Sequence, residues 1–234
     1  MDDAIRLALQ HNHALLALRT TIQQSLAEEI TANLRPNPTL GLDAQFLPFQ
    51  PSEFSSSYIN QQAQFDAGIG YLFERGKKRQ HRLQAAQDIT AVTRSQVSDS
   101  ERQLTFNVGQ QFVDALLAES TLEFAQQDLE SFQNTVNISK ERYRAGAMSE
   151  SDYLKIKLQL LQFQSDVSAA KLAKLQALAS LRQLLGFESV PDDYDVQGTL
   201  DYQPVHADTA GLKSLAALNR PDLRAAQQRT SARA

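Results

Sequence analysis

The sequence predicts a mainly α protein, built on one long antiparallel coiled-coil helical hairpin that carries a single β-hairpin. Apolar or small residues recur at alternating steps of four and three over two long stretches, which is the spacing of helices wound around a partner. No proline lies between Pro51 and Pro191, so no proline interrupts a helix in that region. Upstream, apolar residues recur at every second position in residues 40–46 and 65–73, which indicates two β-strands.

The composition argues against several classes of protein. The chain has 234 residues, a formal charge of −4 and no cysteine. We therefore expect no disulfide, no thiol nucleophile and no cysteine-rich metal site, and the negative charge argues against nucleic-acid binding. The acidic N-terminus and the lack of an apolar run of about 20 residues predict neither a signal peptide nor a transmembrane helix.

Residues 1–35 predict a first amphipathic helix. It is expected to run from Asp3 to Leu34, because apolar residues follow a mostly helical spacing over that range. The prolines of Arg35-Pro36-Asn37-Pro38 end it, since they remove backbone donors and force extended geometry. His11 and His13 lie on different sides of a helix, so they do not form a paired metal site.

Residues 36–74 predict a β-hairpin with one apolar side. Each strand is expected to be about ten residues long, which matches the length a tilted strand needs to cross a bilayer. Two paired strands alone are marginally stable in water, so they must find further partners. A soluble hairpin packed on a core is the alternative. The candidate lipid-facing residues are Leu40, Leu42, Phe46, Phe65, Ile69, Tyr71 and Phe73.

A basic segment follows the second strand and opens the next helix. Its cations are Arg75, Lys77, Lys78 and Arg79. Cations at a helix N-terminus oppose the helix dipole, so a group outside the helix should compensate for them. Lipid head groups are one candidate because the segment follows a membrane-type strand. A solvated charge cluster is the alternative.

Residues 75–186 predict the long helical hairpin. A first helix of about 65 residues would be near 95 Å long, far longer than a globular core requires. The helix after the turn and the N-terminal helix together have about the same length, so they are expected to stack end to end beside it. The predicted contact positions are Leu104, Val108, Gln111, Ala115, Ala118, Leu122, Ala125, Leu129, Phe132, Val136, Ser139 and Tyr143, then Leu154, Leu158, Leu161, Ser165, Ser168, Leu172, Leu175 and Ala179.

The turn of this hairpin is expected at residues 144–149. Gly146 suits the left-handed backbone that often ends a helix. Ser149 followed by Asp152 is close to a capping box and would begin the second helix. An ordinary coiled-coil turn with no further role is the alternative interpretation.

The C-terminal part is less regular. Residues 187–211 predict a polar connector whose acidic stretch lacks the spacing of a calcium-binding loop. Residues 212–234 predict the start of another helix. At an offset of 208, Leu7, Ala8, Leu15 and Ala17 match Leu215, Ala216, Leu223 and Ala225, so we interpret 212–234 as the start of a second repeat.

Six segments also carry a family resemblance when they are taken in order. They are Ala8-Leu9 with Asn12, Asn37-Pro38-Thr39-Leu40, Gly76-Lys77-Lys78-Arg79, Arg142-Tyr143-Arg144-Ala145-Gly146 with Ser149 and Asp152, Leu184-Leu185-Gly186, and Asn219-Arg220-Pro221-Asp222-Leu223. The chain resembles the first repeat of the TolC-like outer membrane efflux proteins, the exit ducts of tripartite pumps and type I secretion systems. The resemblance covers nearly the whole chain.

The resemblance implies a homotrimer in the outer membrane of a Gram-negative bacterium, with a β-barrel surrounded by lipid and a helical tunnel in the periplasm. It also implies a periplasmic adaptor bound at the turn, through Ala145, Gly146, Ala147 and Met148, and an inner-membrane RND or ABC transporter that supplies the energy. Neither enzymatic activity nor a cofactor is implied. Two strands per chain would give a trimer fewer than the about eight strands of small barrels, so we expect the chain to be a fragment.

Two alternatives remain open from the sequence. A periplasmic adaptor, or membrane fusion protein, also contains a long α-hairpin, although compact β domains should flank it. A soluble coiled-coil scaffold would explain the apolar spacing of the helices but not the two strands.

Overall fold

The computed structural model describes residues 1–46, 64–201, 204 and 208–231. The predicted fold class is confirmed: the chain is mainly helical and carries one antiparallel β-hairpin. The elements in chain order are α1 (Asp2–His11), α2 (His13–Asn33), β1 (Thr39–Gln45), β2 (Gln64–Gly70), α3 (Lys78–Arg144), α4 (Glu150–Leu185), α5 (Thr209–Asn219) and α6 (Pro221–Ser231).

Helix α3 forms the rod of the molecule. Its 67 residues span about 100 Å at 1.5 Å per residue. α4 packs antiparallel along the half of α3 nearer the turn, and α2 packs along the other half. The positions predicted for the α3 seam are buried or half-buried, apart from Tyr143 at the turn. Far from the core, Phe132 of α3 stacks on Phe163 of α4 with ring centroids 4.5 Å apart.

The predicted seam of α4 is wrong, because α4 packs on α3 through another face. The leucines of the predicted series are exposed, and Leu158 retains 64% of its accessible surface. Consecutive residues lie about 100° apart around a helix, so the packed and predicted stripes are on nearly opposite sides of α4. The packed stripe consists of Tyr153, Ile156, Leu160, Phe163, Val167, Ala170, Ala177 and Leu181.

The predicted continuous first helix is also wrong, because the helix breaks at Asn12. That residue is extended, with φ −66° and ψ 113°. Its side-chain Oδ1 accepts a hydrogen bond from the Leu15 N–H at 2.9 Å, and its Nδ2 donates to the Leu184 carbonyl at 2.9 Å. Arg19 donates to the Leu9 carbonyl at 3.0 Å, near the C-terminal end of α1. These bonds satisfy groups at the ends of three helices and compensate for the break.

The Asn12 contacts also explain how the shorter helices fit beside α3. The C-terminal end of α4 meets the N-terminal end of α2, so these two helices stack end to end as expected. α1 turns aside and packs against both α3 and α4. Gly186 ends α4 with a φ of 92°, and a Cβ at this position would lie 2.5 Å from the His11 carbonyl oxygen. The close approach of α1 therefore requires glycine here.

The main core lies at this junction, near the middle of the rod. It combines side chains from α1, α2, α3, α4 and the connector that follows α4. Leu181 and Val108 are its largest fully buried side chains. The buried cluster consists of Ala8, Leu15, Leu104, Val108, Phe112, Ala115, Leu116, Leu181, Leu185 and Val196.

An ion-pair network ties the connector to the rod. The Lys174 Nζ lies 2.7 Å from the Asp195 Oδ2 and 3.3 Å from the Glu119 Oε1. The hydrogen bond from Lys174 lowers the pKa of Asp195, against the opposing effect of burial. The same bond, followed by the one to Glu119, raises the pKa of Lys174.

We expect Asp195→Asn to lower the free energy of unfolding by about 1 kcal/mol or less near pH 7, because Asp195 is half exposed. The folded-state pKa of Asp195 is below its unfolded value, so its contribution is present above the unfolded pKa and is lost as pH falls below about 4. Lys174 has a raised pKa, so its contribution is lost only above about pH 10.4. Urea unfolding of the parent and of Asp195→Asn should therefore give a difference in the free energy of unfolding that is constant from pH 5 to 9. A difference that peaks within that range would contradict the role assigned to the Asp195–Lys174 ion pair.

The β-hairpin has the predicted alternation, but its strands are shorter than predicted. Each has seven residues, and Leu40 pairs with Ile69, Leu42 with Ala67 and Ala44 with Phe65. The shortening at β1 follows from its backbone, since Phe46 has a φ of 58° and leaves the extended conformation. Every residue of both strands is exposed, so the hairpin does not pack on the helices.

The C-terminal region forms two helices where one was predicted. The break falls at Arg220, because Pro221 lacks a backbone donor and disfavours a helical residue before it. Arg220 has φ −66° and ψ 118°, nearly the angles of Asn12. Its N–H bonds to the Ala216 carbonyl as that of Asn12 bonds to Ala8. The two breaks are separated by the offset of 208, and the second repeat itself stays a prediction.

Candidate functional site

The turn between α3 and α4 is a well-defined structure at one end of the rod. Gly146 has a φ of 73°, which few residues other than glycine adopt readily. The Gly146 N–H bonds to the Tyr143 carbonyl at 3.0 Å, and the Ala147 N–H bonds to the Arg142 carbonyl at 2.9 Å. These two bonds form a Schellman motif and satisfy the last carbonyls of α3.

The first turn of α4 is capped as predicted. The Asp152 N–H donates to the Ser149 Oγ at 3.1 Å, and the Ser149 hydroxyl donates to the Asp152 carboxylate at 2.8 Å. The hydrogen bond from Ser149, and then the charge of Lys155, lower the pKa of Asp152. Across the hairpin, Tyr143 stacks on Tyr153 with ring centroids 5.4 Å apart. Both helix ends are therefore fixed independently of any partner.

The predicted adaptor-binding residues lie together at this turn. Ala145, Gly146 and Ala147 are exposed, and Met148 is half-buried. The turn thus presents small side chains and backbone at the far end of a rigid rod. Small side chains allow another surface to approach the backbone of this turn closely. Adaptor binding stays a prediction at this point.

The opposite end of α3 contains the basic segment. Gly76 and Lys77 both have a left-handed backbone, with φ of 69° and 57°, and turn the chain from β2 into α3. The side chain of Lys77 does not cap the helix. Arg75, Lys77 and Lys78 are exposed and Arg79 is half-buried. The segment is adjacent to the C-terminal end of α2, as the contacts of Arg82 show.

Arg82 is a structural residue that sequence reasoning did not separate from its basic neighbours. Its guanidinium donates to the carbonyls of Ala32 and Leu34, both at 3.2 Å, and so caps α2. It also forms an ion pair with both oxygens of Glu74. This pairing is the main reason why the pKa of Glu74 is lowered, and Lys78 and Arg79 add to the effect. The spacing of eight residues between Glu74 and Arg82 was the one sequence feature that could have indicated this ion pair.

The predicted lipid-facing residues fall into two groups. Leu40, Leu42, Phe65 and Ile69 share one face of the hairpin, and Ile69 retains 82% of its accessible surface. Phe46, Tyr71 and Phe73 lie outside the strands, so their assignment to a strand face is wrong. Tyr71 and Phe73 instead contact each other edge to face at 4.7 Å. Contact with lipid stays a prediction for both groups.

The opposite face of the hairpin is polar. Asp43 pairs directly with Asp66, a repulsive arrangement in an isolated sheet. Gln45 donates to Asp43 at 2.6 Å and Gln64 donates to Asp66 at 2.9 Å. The ribbon is therefore apolar on one side and hydrated on the other.

Both long helices also carry exposed apolar residues that face away from the partners described above. On α4 these are the leucines of the predicted seam, with Leu158, Leu161, Leu172 and Leu175 more than half exposed. On α3, the exposed apolar residues include Phe106, Leu117, Phe124 and Ile138. The described part of the chain leaves these surfaces without a covering element.

Among the described residues, no helix has the length and apolar character needed to cross a membrane. The same residues include no group of three or more histidine, aspartate or glutamate side chains arranged to hold a metal ion.

Comparisons with known proteins agree with this geometry. The chain is 27% identical to two Pseudomonas putida proteins, the probable efflux pump outer membrane protein SepC and the toluene efflux pump outer membrane protein TtgF. Each match covers 98% of the chain and 48% of the relative, so the chain spans about half of their length. The Campylobacter jejuni CmeC outer membrane channel has a similar fold, with a TM-score of 0.73 at 16% identity, over 99% of the chain and 50% of the channel.

A family model also matches most of the chain. The model describes outer membrane efflux proteins, and it matches residues 4–187. This range includes the broken N-terminal helix, the β-hairpin and both arms of the long helical hairpin. The chain belongs to the outer membrane efflux protein family.

Proposed function

We propose that the protein is a duct subunit in the outer membrane of a Gram-negative bacterium, acting as the passive exit channel of a tripartite efflux pump or a type I secretion system. The observation that carries this proposal is the combination of a fully exposed hairpin, apolar on one face, with a rod of about 100 Å that ends in a fixed turn. The hairpin suits a barrel wall with lipid outside and water inside. The rod suits a tunnel standing in the periplasm.

We further propose that the working unit is a homotrimer. The hairpin needs more strands than one chain supplies, and the exposed apolar stripes of α3 and α4 need neighbouring helices. In a tunnel wall each helix has neighbours on two sides, which accounts for a helix that is apolar on two opposite faces. The chain spans about half the length of the relatives it matches, and further strands and helices in a subunit of that length would help to close the wall.

The partners follow from the two ends of the rod. We propose that Ala145, Gly146, Ala147 and Met148 contact a periplasmic adaptor, which couples the duct to an inner-membrane RND or ABC transporter. The energy for export would come from that transporter, so the duct itself needs no enzymatic activity. This division of roles is consistent with a turn whose exposed surface consists of small side chains and backbone.

Gly146→Val tests the adaptor contact. A β-branched residue is strained at a φ of 73°, so the turn should change shape even though no atom lies within 4 Å of the new Cβ. In cells that express the complete reading frame, we expect a fall in efflux of about tenfold, from a loss of about 1–2 kcal/mol in coupling. Dye or drug accumulation measures efflux, and unboiled gels of the outer-membrane fraction measure the trimer.

Gly146→Asn is the matched control for this experiment. Asparagine tolerates the left-handed backbone, so it should keep the turn and most of the efflux. The valine variant should reach the outer membrane as a trimer at the normal level. Loss of the trimer would make the turn purely structural, and recovery of the unaltered protein in the soluble fraction would reject the duct function.

A further inference from the structure

A cavity of about 370 Å³ opens at the junction of the β-hairpin with the rod. Three segments form its walls: the chain after α2, the segment that follows β2, and the first turn of α3. The lining residues on which the inference depends are Arg35, Tyr71, Phe73, Lys77, Lys78 and Arg79. The cavity therefore lies where the chain leaves the strands and enters the rod.

One side of this cavity is strongly cationic. Arg35, Lys77, Lys78 and Arg79 all line it, although the chain as a whole carries a charge of −4. Glu74 is the single carboxylate in the lining, and Arg82 engages both of its oxygens. Within the described residues, none of the four lining cations forms an ion pair with a carboxylate. Their mutual repulsion would be relieved by an anion from outside the chain.

The other side of the cavity is apolar and aromatic. Tyr71 and Phe73 hold each other in an edge-to-face contact. Leu72 and Phe73 remain 64% and 78% exposed beside them. Aromatic residues of this kind are enriched where a protein meets the boundary between lipid and water. A small hydrated anion such as phosphate makes no use of such a wall, whereas a lipid places its glycerol and upper acyl chains against it.

The positive charge of the cavity favours anionic over zwitterionic phospholipid head groups. Arginine forks and lysine ammonium groups are matched to phosphate oxygens. A zwitterionic head group would also bring its own ammonium or choline next to four cations, which lowers its affinity. An anionic head group, whose phosphodiester carries the only ionised group, satisfies both sides of the cavity.

We infer that this cavity binds the phosphodiester head group of an anionic phospholipid, with the lipid glycerol against Tyr71 and Phe73. The inference rests on the proposed outer-membrane placement and adds the chemistry of the lipid to it. The bound lipid would belong to the leaflet next to the rod. It would fix the depth of the hairpin in the membrane and neutralise the N-terminal end of α3.

The test uses the protein encoded by the complete reading frame, purified in detergent and mixed with vesicles. One set of vesicles is phosphatidylcholine alone, and the other also contains phosphatidylglycerol, whose phosphodiester is its only ionised group. The variant replaces Lys77, Lys78 and Arg79 with glutamine. We expect about a hundredfold loss of preference for the anionic vesicles, since each basic residue near a lipid surface contributes roughly a factor of five.

The matched control replaces Lys140, Arg142 and Arg144, at the other end of α3, with glutamine. It removes the same charge and should leave the lipid preference unchanged. Tyr71→Ala tests the apolar wall and should lower retention several-fold at constant charge. Removing cations from a helix N-terminus relieves repulsion with the helix dipole, so the triple variant should fold at least as well as the parent.

Several results would overturn the inference. An equal loss of preference for anionic vesicles in the two triple variants would show that this preference depends only on the net charge of the protein. Equal binding to both vesicle types would show that the apolar hairpin alone holds the membrane. Competition by inorganic phosphate at the lipid concentration would assign the cavity to the free ion. Unchanged retention of Tyr71→Ala on the anionic vesicles would exclude contact with a lipid glycerol. If the protein reaches the outer membrane but shows no anionic preference, the inference fails alone, whereas absence from that membrane would remove the proposed function as well.

Discussion

Leu181→Asp is expected to unfold the middle of the rod. Leu181 is 1% exposed and lies in the core where α1, α2, α3, α4 and the connector meet. Truncating a buried leucine costs about 2–5 kcal/mol, and an unpaired buried charge adds several more. A total of about 5 kcal/mol or more is comparable to the whole stability of many domains. Urea unfolding followed by circular dichroism should show a lost or strongly shifted transition.

Two further variants identify the cause of this loss. Leu181→Ala should retain a transition at lower urea, because it creates a cavity without a charge. Leu175→Asp places the same charge on the same helix, where the side chain is 65% exposed, and should change the unfolding of the single chain by less than about 1 kcal/mol. A similar decrease in the free energy of unfolding for Leu175→Asp and Leu181→Asp would contradict the assignment of the buried face of α4.

Local chemistry made the turn between α3 and α4 predictable. Glycine at a left-handed position and serine as a helix cap act within a few residues, so Gly146 and Ser149 could be assigned from the sequence. The alternation of the strands likewise predicted that Leu40, Leu42, Phe65 and Ile69 share a face, whereas Phe46, Tyr71 and Phe73 fall outside the strands. The features that are confirmed depend on neighbours in the chain.

Other features depend on groups that are distant in the sequence. Asn12 breaks the first helix because its side chain bonds to Leu184, which is 172 residues away. Arg82 looks like one more cation of a basic segment, and its role appears only when the end of α2 lies beside it. The spacing of apolar residues contained no information about either contact.

The error in α4 has a different origin. Its sequence contains two apolar series, and each follows the spacing of a coiled coil. A periodicity identifies a seam but not the partner that the seam meets. The series beginning at Leu154 was assigned to α3, yet the series through Leu160 and Leu181 makes that contact. For the proposed tunnel wall, the leucine stripe that was wrongly assigned becomes the surface that should meet a neighbouring helix.

Leu158→Asp combined with Leu172→Asp is expected to abolish the trimer while leaving each chain folded. Both leucines lie on the exposed stripe of α4, at 64% and 56% exposure, two heptads apart. In the single chain a charge there stays hydrated, so the helical content should not change. In the assembly each charge would be buried against a neighbouring helix without a partner, at a cost of several kcal/mol per site. Unboiled gels of the outer-membrane fraction should show loss of the trimer band.

Gln159→Asp combined with Ala173→Asp is the matched control. These exposed positions are also two heptads apart on α4, but they lie on its polar side, between the two apolar stripes. Their charges remain in water in either state, so the trimer should persist. A trimer that survives the leucine double variant would mean that the stripe stays exposed in the assembly, and α4 would then contact only α3. Loss of the trimer in both double variants would point to net charge on the rod as the cause.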